Sequence, residues 1–208
     1  CVHRRQLRHP HNERLEEMSV ALKLLQEKVG VEPDGAYGPN TARAITKHYG
    51  LDRVKAAHLL GQAGHESGGF KLTRENLNYS VKAMMRVWPS RFPDEDSAKP
   101  YARNGAKLAS KVYVGRMGNE TPEDAANFIG RGFLQLTGKN NYKAFAHDMR
   151  LPEVLTDPSL VEEDYAFETA MWIFDKNGLW KIADEGINDD AIAKITKRVN
   201  GGHHGLKD

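Results

Sequence analysis

The chain has almost no cysteine: its 208 residues include only Cys1, at the first position. A single thiol cannot close an internal disulfide, so we expect the fold to depend on a hydrophobic core rather than on an oxidising compartment. Long hydrophobic runs are also missing, since no stretch reaches the roughly 18 apolar residues of a transmembrane helix. Charge of one sign is not in excess. The formal net charge of +2 is far from that of a typical nucleic-acid-binding protein, so no nucleic-acid partner is expected.

The N-terminal segment, residues 1–17, is rich in charged side chains and lacks the apolar stretch of a signal peptide. Met18 is interpreted as the natural start, which makes residues 1–17 a disordered or non-native extension. From these features we expect a monomer without stable membrane insertion.

Helical periodicity dominates the remaining sequence. Val20 begins an amphipathic run that ends at Gly30, and Asp52 is the expected N-cap of a helix that reaches about His65. Further helices are predicted over residues 41–50, 81–87, 106–114, 141–149, 162–177 and 189–199, with another beginning at Thr121. Strand signals are confined to residues 70–73 and 133–136. The sequence therefore predicts a mainly α-helical fold with a small β-hairpin element.

Two glutamates stand in segments that suit catalysis. Glu66 lies where the third predicted helix breaks at Gly68 and Gly69, and Glu75 follows in a polar segment. Hydrolysis of a glycosidic bond needs one protonated carboxyl group for the leaving oxygen and one ionised carboxylate that activates water. The two glutamates are therefore candidates for an acid and base pair.

A glycine-punctuated run, residues 130–142, suits the floor of a sugar groove. Residues without bulk allow close approach of a polysaccharide chain. The Gln, Thr and Asn side chains in this run offer donors and acceptors to hydroxyl and N-acetyl groups. Together, the two glutamates and this run predict a hydrolase that acts on a sugar polymer.

These segments resemble the family 19 glycoside hydrolases, the chitinase-like group, and within it the bacteriophage endolysins. The resemblance covers about residues 52–202 and depends on five segments in a fixed order, at 65–70, 75–80, 130–137, 140–142 and 199–202. It implies a lysozyme-like helical fold in which the small hairpin lines the substrate groove, together with an inverting mechanism. By this resemblance Glu66 is the general acid, Glu75 is the base, and Thr137 holds the attacking water.

The resemblance also implies a set of substrate-binding residues. Gln135, Asn141 and Asn200 match polar groups that bind sugar or orient the carboxylates. Tyr79, Arg131 and Tyr142 are added as candidates for substrate contact. For Arg131, a bracing role inside the structure stays open as an alternative.

Aromatic and histidine residues near these motifs receive separate interpretations. Trp88 and Tyr79 are candidates for stacking on sugars, whereas Trp172 is expected in the core. The pair His65-Glu66 lacks the second histidine of a zinc-protease motif. No metal and no other cofactor is therefore expected, and His65 is interpreted as a buried structural residue.

The N-terminal part resembles half of a peptidoglycan-binding module. It has a helix, an Asp34-Gly35 turn, a Gly38-Pro39 turn and a second helix. The predicted organisation is thus an extension at 1–17, a helical hairpin at 18–50 and a catalytic domain at 51–208.

The predicted activity is hydrolysis of peptidoglycan. The spacing of Glu66 and Glu75 resembles that of phage lysozymes, which favours peptidoglycan over chitin. We expect an endolysin that cleaves the β-1,4 glycan strand between N-acetylmuramic acid and N-acetylglucosamine during host lysis. It would stay in the host cytoplasm until its release to the periplasm and cell wall. A chitinase, a lytic transglycosylase and a non-catalytic wall-binding protein stay open as alternatives.

Overall fold

The computed structural model describes residues 20–202, which form eleven α-helices and three 3₁₀ helices. The α-helices are α1 (Val20–Val29), α2 (Pro39–His48), α3 (Arg53–Glu66), α4 (Val81–Val87), α5 (Glu95–Ala98), α6 (Gly105–Tyr113), α7 (Pro122–Asn127), α8 (Lys139–Met149), α9 (Ala166–Lys176), α10 (Leu179–Ala183) and α11 (Asp189–Gly202). The 3₁₀ helices are Lys99–Tyr101, Pro152–Leu155 and Pro158–Val161. The predicted mainly α-helical fold is confirmed. The extension predicted at 1–17 and the pair His203-His204, interpreted as a surface pair, lie outside the described residues.

Most predicted helices are present, with boundaries set by local capping. The side chain of Asp52 accepts hydrogen bonds from the backbone N–H groups of Val54 and Lys55, as expected for the N-cap of α3. The helix predicted from residue 162 begins instead at Ala166, because a 3₁₀ helix and a turn occupy residues 158–165. Helix α10 was not predicted from the sequence.

The β element is smaller than the sequence predicts. Arg131 and Leu136 exchange backbone hydrogen bonds of 3.0 and 2.7 Å across a four-residue turn, and Arg131 also forms an isolated bridge with Arg74. Residues 133–135 therefore form the turn of this hairpin rather than a strand. The strand predicted at 70–73 is wrong, because Phe70 has a φ of 62° in a chain reversal.

Three hydrophobic clusters build the interior. The first joins α1, α2, α3, α9, α10 and α11, the second contains α4 to α6, and the third contains α8 with the two later 3₁₀ helices. Ile129 belongs to the second cluster, Phe133 to the first and Leu136 to the third. The glycine-punctuated run, together with Ile129 directly before it, therefore contacts all three clusters, which fixes its position in the core.

The N-terminal hairpin packs on the first cluster. Leu22 and Ile45 are buried there beside Leu59 of α3 and Phe167 of α9. The boundary predicted at residue 50 thus falls within a continuous hydrophobic cluster, and wall binding by residues 18–50 stays a prediction. No helix within residues 20–202 has the length and apolar character needed to cross a membrane.

A buried glutamine closes the turn of this hairpin. The Gln26 side chain donates to Asp34 Oδ1 at 2.7 Å and to Thr41 Oγ1 at 3.1 Å, and it accepts from the Gly35 N–H at 2.8 Å. Hydrogen bonds from the Ala36 N–H and from Gln26 lower the pKa of Asp34. The Asp-Gly turn that was recognised in the sequence is therefore held by α1 itself.

Candidate active site

Four of the predicted site residues line one cleft of about 370 Å³: Glu66, Glu75, Gln135 and Thr137. Its wall is completed by Trp88, Val112, Tyr113, Arg116 and Met117. Glu66 ends α3, and Glu75 lies in the loop after it. Gln135 is the last residue of the hairpin turn, and Thr137 follows the hairpin. The structure thus brings together the three residues predicted to be catalytic.

Glu66 is half-buried at the end of α3, where the chain reverses direction. Gly68, Gly69 and Phe70 have consecutive φ values of 61°, 79° and 62°, a conformation that glycine adopts at low cost and phenylalanine does not. Ser67 holds the reversal, since its Oγ donates to Ala63 O at 2.5 Å and accepts from the Phe70 N–H at 2.9 Å. The two glycines are therefore required by this reversal.

The fully buried ring of Phe70 anchors this reversal. Its centroid lies 5.0 Å from that of Phe133 in an edge-on contact and 4.3 Å from that of Tyr37. Edge-on aromatic pairs of this kind stabilise packing beyond the area that they bury. The turn after Glu66 is thereby fixed to both the hairpin turn and the N-terminal hairpin.

Glu75 is held by donors from two other segments. The Tyr113 hydroxyl donates to Oε1 at 2.6 Å, and the Gly130 N–H donates to Oε2 at 3.3 Å. Its own backbone N–H donates to Gly130 O at 2.8 Å. Burial, followed by the negative charge of Glu75, raises the pKa of Tyr113. The tyrosine therefore keeps its proton and stays a donor to the carboxylate.

Gly130 lies at the centre of the predicted residues. A β-carbon built on it would lie 2.7 Å from Gln135 Oε1, 3.1 Å from Thr137 Oγ1 and 3.4 Å from Glu75 Cβ. The first distance is shorter than van der Waals contact allows. A larger residue here would require the Gln135 side chain to move and would crowd the Thr137 hydroxyl.

The Thr137 hydroxyl is oriented by its own loop. Its proton is directed at Gln135 O, at 2.8 Å, so the remaining lone pairs of Oγ1 are free to accept a hydrogen bond. Asn141 does not line the cleft, but its Nδ2 donates to Thr137 O at 2.7 Å. Asn141 therefore positions Thr137, and its predicted contact with sugar stays a prediction.

Arg131 and Tyr142 brace the structure, which corrects their predicted substrate contact. Arg131 is 6% exposed and Tyr142 is 0% exposed, so neither offers a surface to a sugar chain. Arg131 Nη1 donates to Asn127 O at 2.5 Å and to the Tyr142 hydroxyl at 3.3 Å, and Arg131 Nε lies 3.5 Å from Glu162 Oε2. The alternative of an internal bracing role for Arg131 agrees with these contacts.

The remaining predicted residues lie outside the cleft wall. Tyr79 packs against Trp88 with ring centroids 5.0 Å apart, so it touches a residue that lines the cleft. Asn200 is exposed on α11, and its role stays a prediction. His65 is exposed, so the interpretation of a buried structural histidine is wrong. Trp172 is 8% exposed in the third cluster, as expected for a core residue.

Sequence reasoning did not find Tyr113, Arg116 or Met117. Tyr113 lies in a correctly predicted helix, but its partner is 38 positions earlier in the chain, and no local pattern reveals such a contact. Gly138 is a signal from which the neighbourhood of Met117 could have been expected, because a β-carbon at position 138 would collide with Met117 Cβ. Glycine at such a position marks a close approach of two segments.

No model of a known protein family matches the chain. A Haemophilus influenzae protein described as a glycosyl hydrolase family 19 domain-containing protein is 35% identical over 178 residues, which are 83% of this chain and 82% of that protein. An endochitinase of Arabidopsis thaliana is 36% identical over 78 residues, which are 36% of this chain and 25% of that protein. The helical fold and the cleft with two glutamates agree with a glycoside hydrolase. The chain belongs to glycosyl hydrolase family 19.

Proposed function

We propose that the protein is a peptidoglycan hydrolase that cleaves the β-1,4 bond between N-acetylmuramic acid and N-acetylglucosamine. The observation that carries this proposal is the presence of Glu66, Glu75 and Thr137 in the wall of one cleft. Two carboxyl groups across a groove are the machinery of most glycoside hydrolases. In this proposal Glu66 is the general acid and Glu75 is the general base.

The proposed reaction is a single displacement with inversion. Glu66 transfers its proton to the glycosidic oxygen while the bond from that oxygen to the anomeric carbon breaks. A water on the opposite face attacks the anomeric carbon and gives its proton to Glu75. Because the Thr137 proton is directed at Gln135 O, Thr137 Oγ1 accepts one hydrogen of this water while Glu75 accepts the other.

The substrate assignment has separate support. The spacing of Glu66 and Glu75 resembles that of phage lysozymes, and the hairpin predicted at residues 18–50 resembles half of a peptidoglycan-binding module. These features favour the bacterial wall and host lysis by an endolysin. Chitin is the second candidate, because one relative is described as an endochitinase.

The first experiment is mass spectrometry of the soluble fragments released from purified Gram-negative peptidoglycan. Hydrated, reducing N-acetylmuramic acid ends are expected. Anhydro ends would instead indicate a lytic transglycosylase, which uses no attacking water. Release of no fragments, with cleavage of chitin oligomers, would support a chitinase.

The roles of the two glutamates are tested by amide substitution. Glu66→Gln and Glu75→Gln each should lower kcat by about 10²- to 10⁴-fold, because acid or base catalysis is lost while the fold is kept. Glu163→Gln, at an exposed glutamate outside the cleft, is the matched control with unchanged kcat. Normal wall clearing by Glu66→Gln would overturn the assignment of the acid.

The base assignment has an explicit competitor. If Glu75→Gln kept normal activity, the base would have to be another carboxylate nearby, such as Glu120 or Asp124. The structure makes Asp124 a poor competitor, because Lys139 Nζ lies 2.8 Å from its Oδ1. Hydrogen bonding to Lys139 is also the largest cause of the lowered pKa of Asp124.

A further inference from the structure

A second cavity, of about 240 Å³, adjoins the catalytic cleft, and Glu75 lines both. It lies between the loop at residues 74–78, the first half of α6 and the end of α7. Small residues line one part of it: Gly105, Ala106, Ala109 and Ala126. Because these residues lack bulk, the space between the helices stays open beside the proposed base.

Two arginines, Arg74 and Arg103, also line this cavity, and both are exposed. Arg103 Nη1 donates to Asn78 O at 3.1 Å, and the Arg103 N–H donates to Tyr79 O at 2.9 Å. Within residues 20–202 the bond to Asn78 O is the single hydrogen bond of the Arg103 guanidinium, so most of its five N–H donors stay available. The Arg103 guanidinium is thus held in place and keeps donors for a ligand.

The charge balance of the cavity is positive. Its one acidic lining residue, Glu75, already accepts from Tyr113 and Gly130. Arg74 Nη1 lies 3.6 Å from Glu162 Oε1, but Glu162 is shared with the buried Arg131. One carboxylate is therefore divided between two guanidinium groups, and Arg103 lies beyond this cluster.

We propose that this cavity is a subsite for the carboxylate of the acidic branch of muramic acid, held by Arg74 and Arg103. The inference rests on the proposed peptidoglycan hydrolase function and goes beyond it by naming the part of the substrate that is recognised. A guanidinium group presents a planar pair of donors that matches a carboxylate. The small residues leave room for the lactyl or alanyl methyl group of the same branch. Chitin carries no carboxylate, so the subsite distinguishes the two polymers.

The test compares three substrates with the double variant Arg74→Gln/Arg103→Gln. The substrates are peptidoglycan with intact stem peptides, glycan strands whose stems an amidase has removed, and a chitin oligomer. In intact strands the lactyl carboxyl group is an amide and the free carboxylates belong to the stem peptide, whereas amidase treatment leaves the lactyl carboxylate alone. The two substrates therefore separate the two sources of negative charge. On intact peptidoglycan we expect the half-saturating substrate concentration to rise about tenfold with kcat nearly unchanged. Arg74→Lys/Arg103→Lys should recover part of the affinity, and added salt should weaken the wild-type protein more than the double variant.

A matched control is available at Arg198, which is also exposed and also donates to a backbone carbonyl, that of Asn177 at 3.0 Å. Arg198→Gln should bind all three substrates as the wild-type protein does. Weakened binding of the double variant to intact and stripped strands, but not to chitin, would show that the subsite accepts either carboxylate, that of the stem peptide in intact strands and that of the lactyl group in stripped strands. Weakened binding to intact strands alone would assign a stem-peptide carboxylate.

Two other outcomes would overturn the inference and are distinguishable. The subsite would be wrong while the proposed function stood if the wild-type protein cleaved peptidoglycan and the double variant bound it with the same affinity. The same would follow if the double variant lost as much affinity for chitin as for peptidoglycan. If the wild-type protein cleaved chitin and not peptidoglycan, the proposed function would be wrong and the subsite with it.

Discussion

The Tyr113 hydroxyl donates a 2.6 Å hydrogen bond to Oε1 of Glu75. This contact joins the end of α6, which packs in the second cluster, to the loop that carries the proposed base. A base that abstracts a proton from water must be held in one orientation, because misplacement by a fraction of a bond length lowers the rate. The second cluster thereby contributes to the position of the proposed base.

Removal of this hydroxyl is the first prediction. Tyr113→Phe should lower kcat about 10- to 150-fold, because a hydrogen bond to a charged group contributes about 1.5–3 kcal/mol. The fold should survive, since the ring remains. Steady-state kinetics on soluble glycan fragments measures the effect. Tyr101→Phe, whose ring packs on Phe92 outside the cleft, is the control with normal kcat. Equal kcat for both variants would show that Tyr113 does not orient the base.

A pair of glycine substitutions separates close approach from backbone freedom. Gly130→Ala should cost about 1–3 kcal/mol of stability, because its β-carbon would collide with Gln135 Oε1 and Thr137 Oγ1. Activity should fall with it, as both side chains must move. Gly61→Ala should instead stabilise the protein by up to about 1 kcal/mol, since Gly61 lies within α3 with open space around it. Urea unfolding of both variants measures the difference, and an unaffected Gly130→Ala protein would contradict the proposed packing.

The sequence predicted the helices and the cleft residues better than it predicted the turns. Asp52 caps α3 through a local hydrogen bond, so residues 52–55 alone contain the signal. Phe70 looks like the start of a strand, but it adopts a φ of 62° because its ring packs on Tyr37 and Phe133, which are far away in the chain. The Tyr113–Glu75 contact also joins residues that are far apart in the chain, 38 positions from each other. What was missed depends on tertiary contacts that no short segment encodes.

The ring contact between Tyr37 and Phe70 predicts a positioning role for the N-terminal hairpin. Tyr37 packs 4.3 Å from the ring that anchors the turn after Glu66. Tyr37→Ala should therefore lower kcat about tenfold on a short soluble fragment, because the turn and Glu66 lose a support. Tyr37→Phe keeps the ring and should restore the rate.

The competing role of this hairpin gives a different result. If residues 18–50 act only by binding the wall, Tyr37→Ala should keep normal kcat on the soluble fragment and lose affinity for insoluble peptidoglycan. A sedimentation assay with intact sacculi, run beside the kinetic assay, distinguishes the two roles.

The buried Tyr142 predicts a loss of stability at alkaline pH. Burial raises the pKa of Tyr142 to about 12, against the lowering effect of Arg131, whereas an unfolded tyrosine titrates near about 10. The folded state holds this proton more tightly than the unfolded state. The stabilising contribution is therefore fully present below about pH 10 and is lost as the pH rises towards about 12, by about 3 kcal/mol in total.

Tyr142→Phe removes the titrating group, so the decrease in unfolding free energy between about pH 9 and pH 12 should be smaller by about that amount. The variant should also be less stable at neutral pH, because its hydroxyl no longer donates to Ile129 O, at 3.0 Å, or accepts from Arg131. Phe145→Leu is the matched control: it destabilises the same cluster without removing a titratable group, so it should keep the wild-type pH dependence. Urea unfolding across this range measures both slopes. Parallel slopes for the wild-type protein and Tyr142→Phe would mean that the alkaline loss arises at other groups and that burial does not raise the pKa of this hydroxyl.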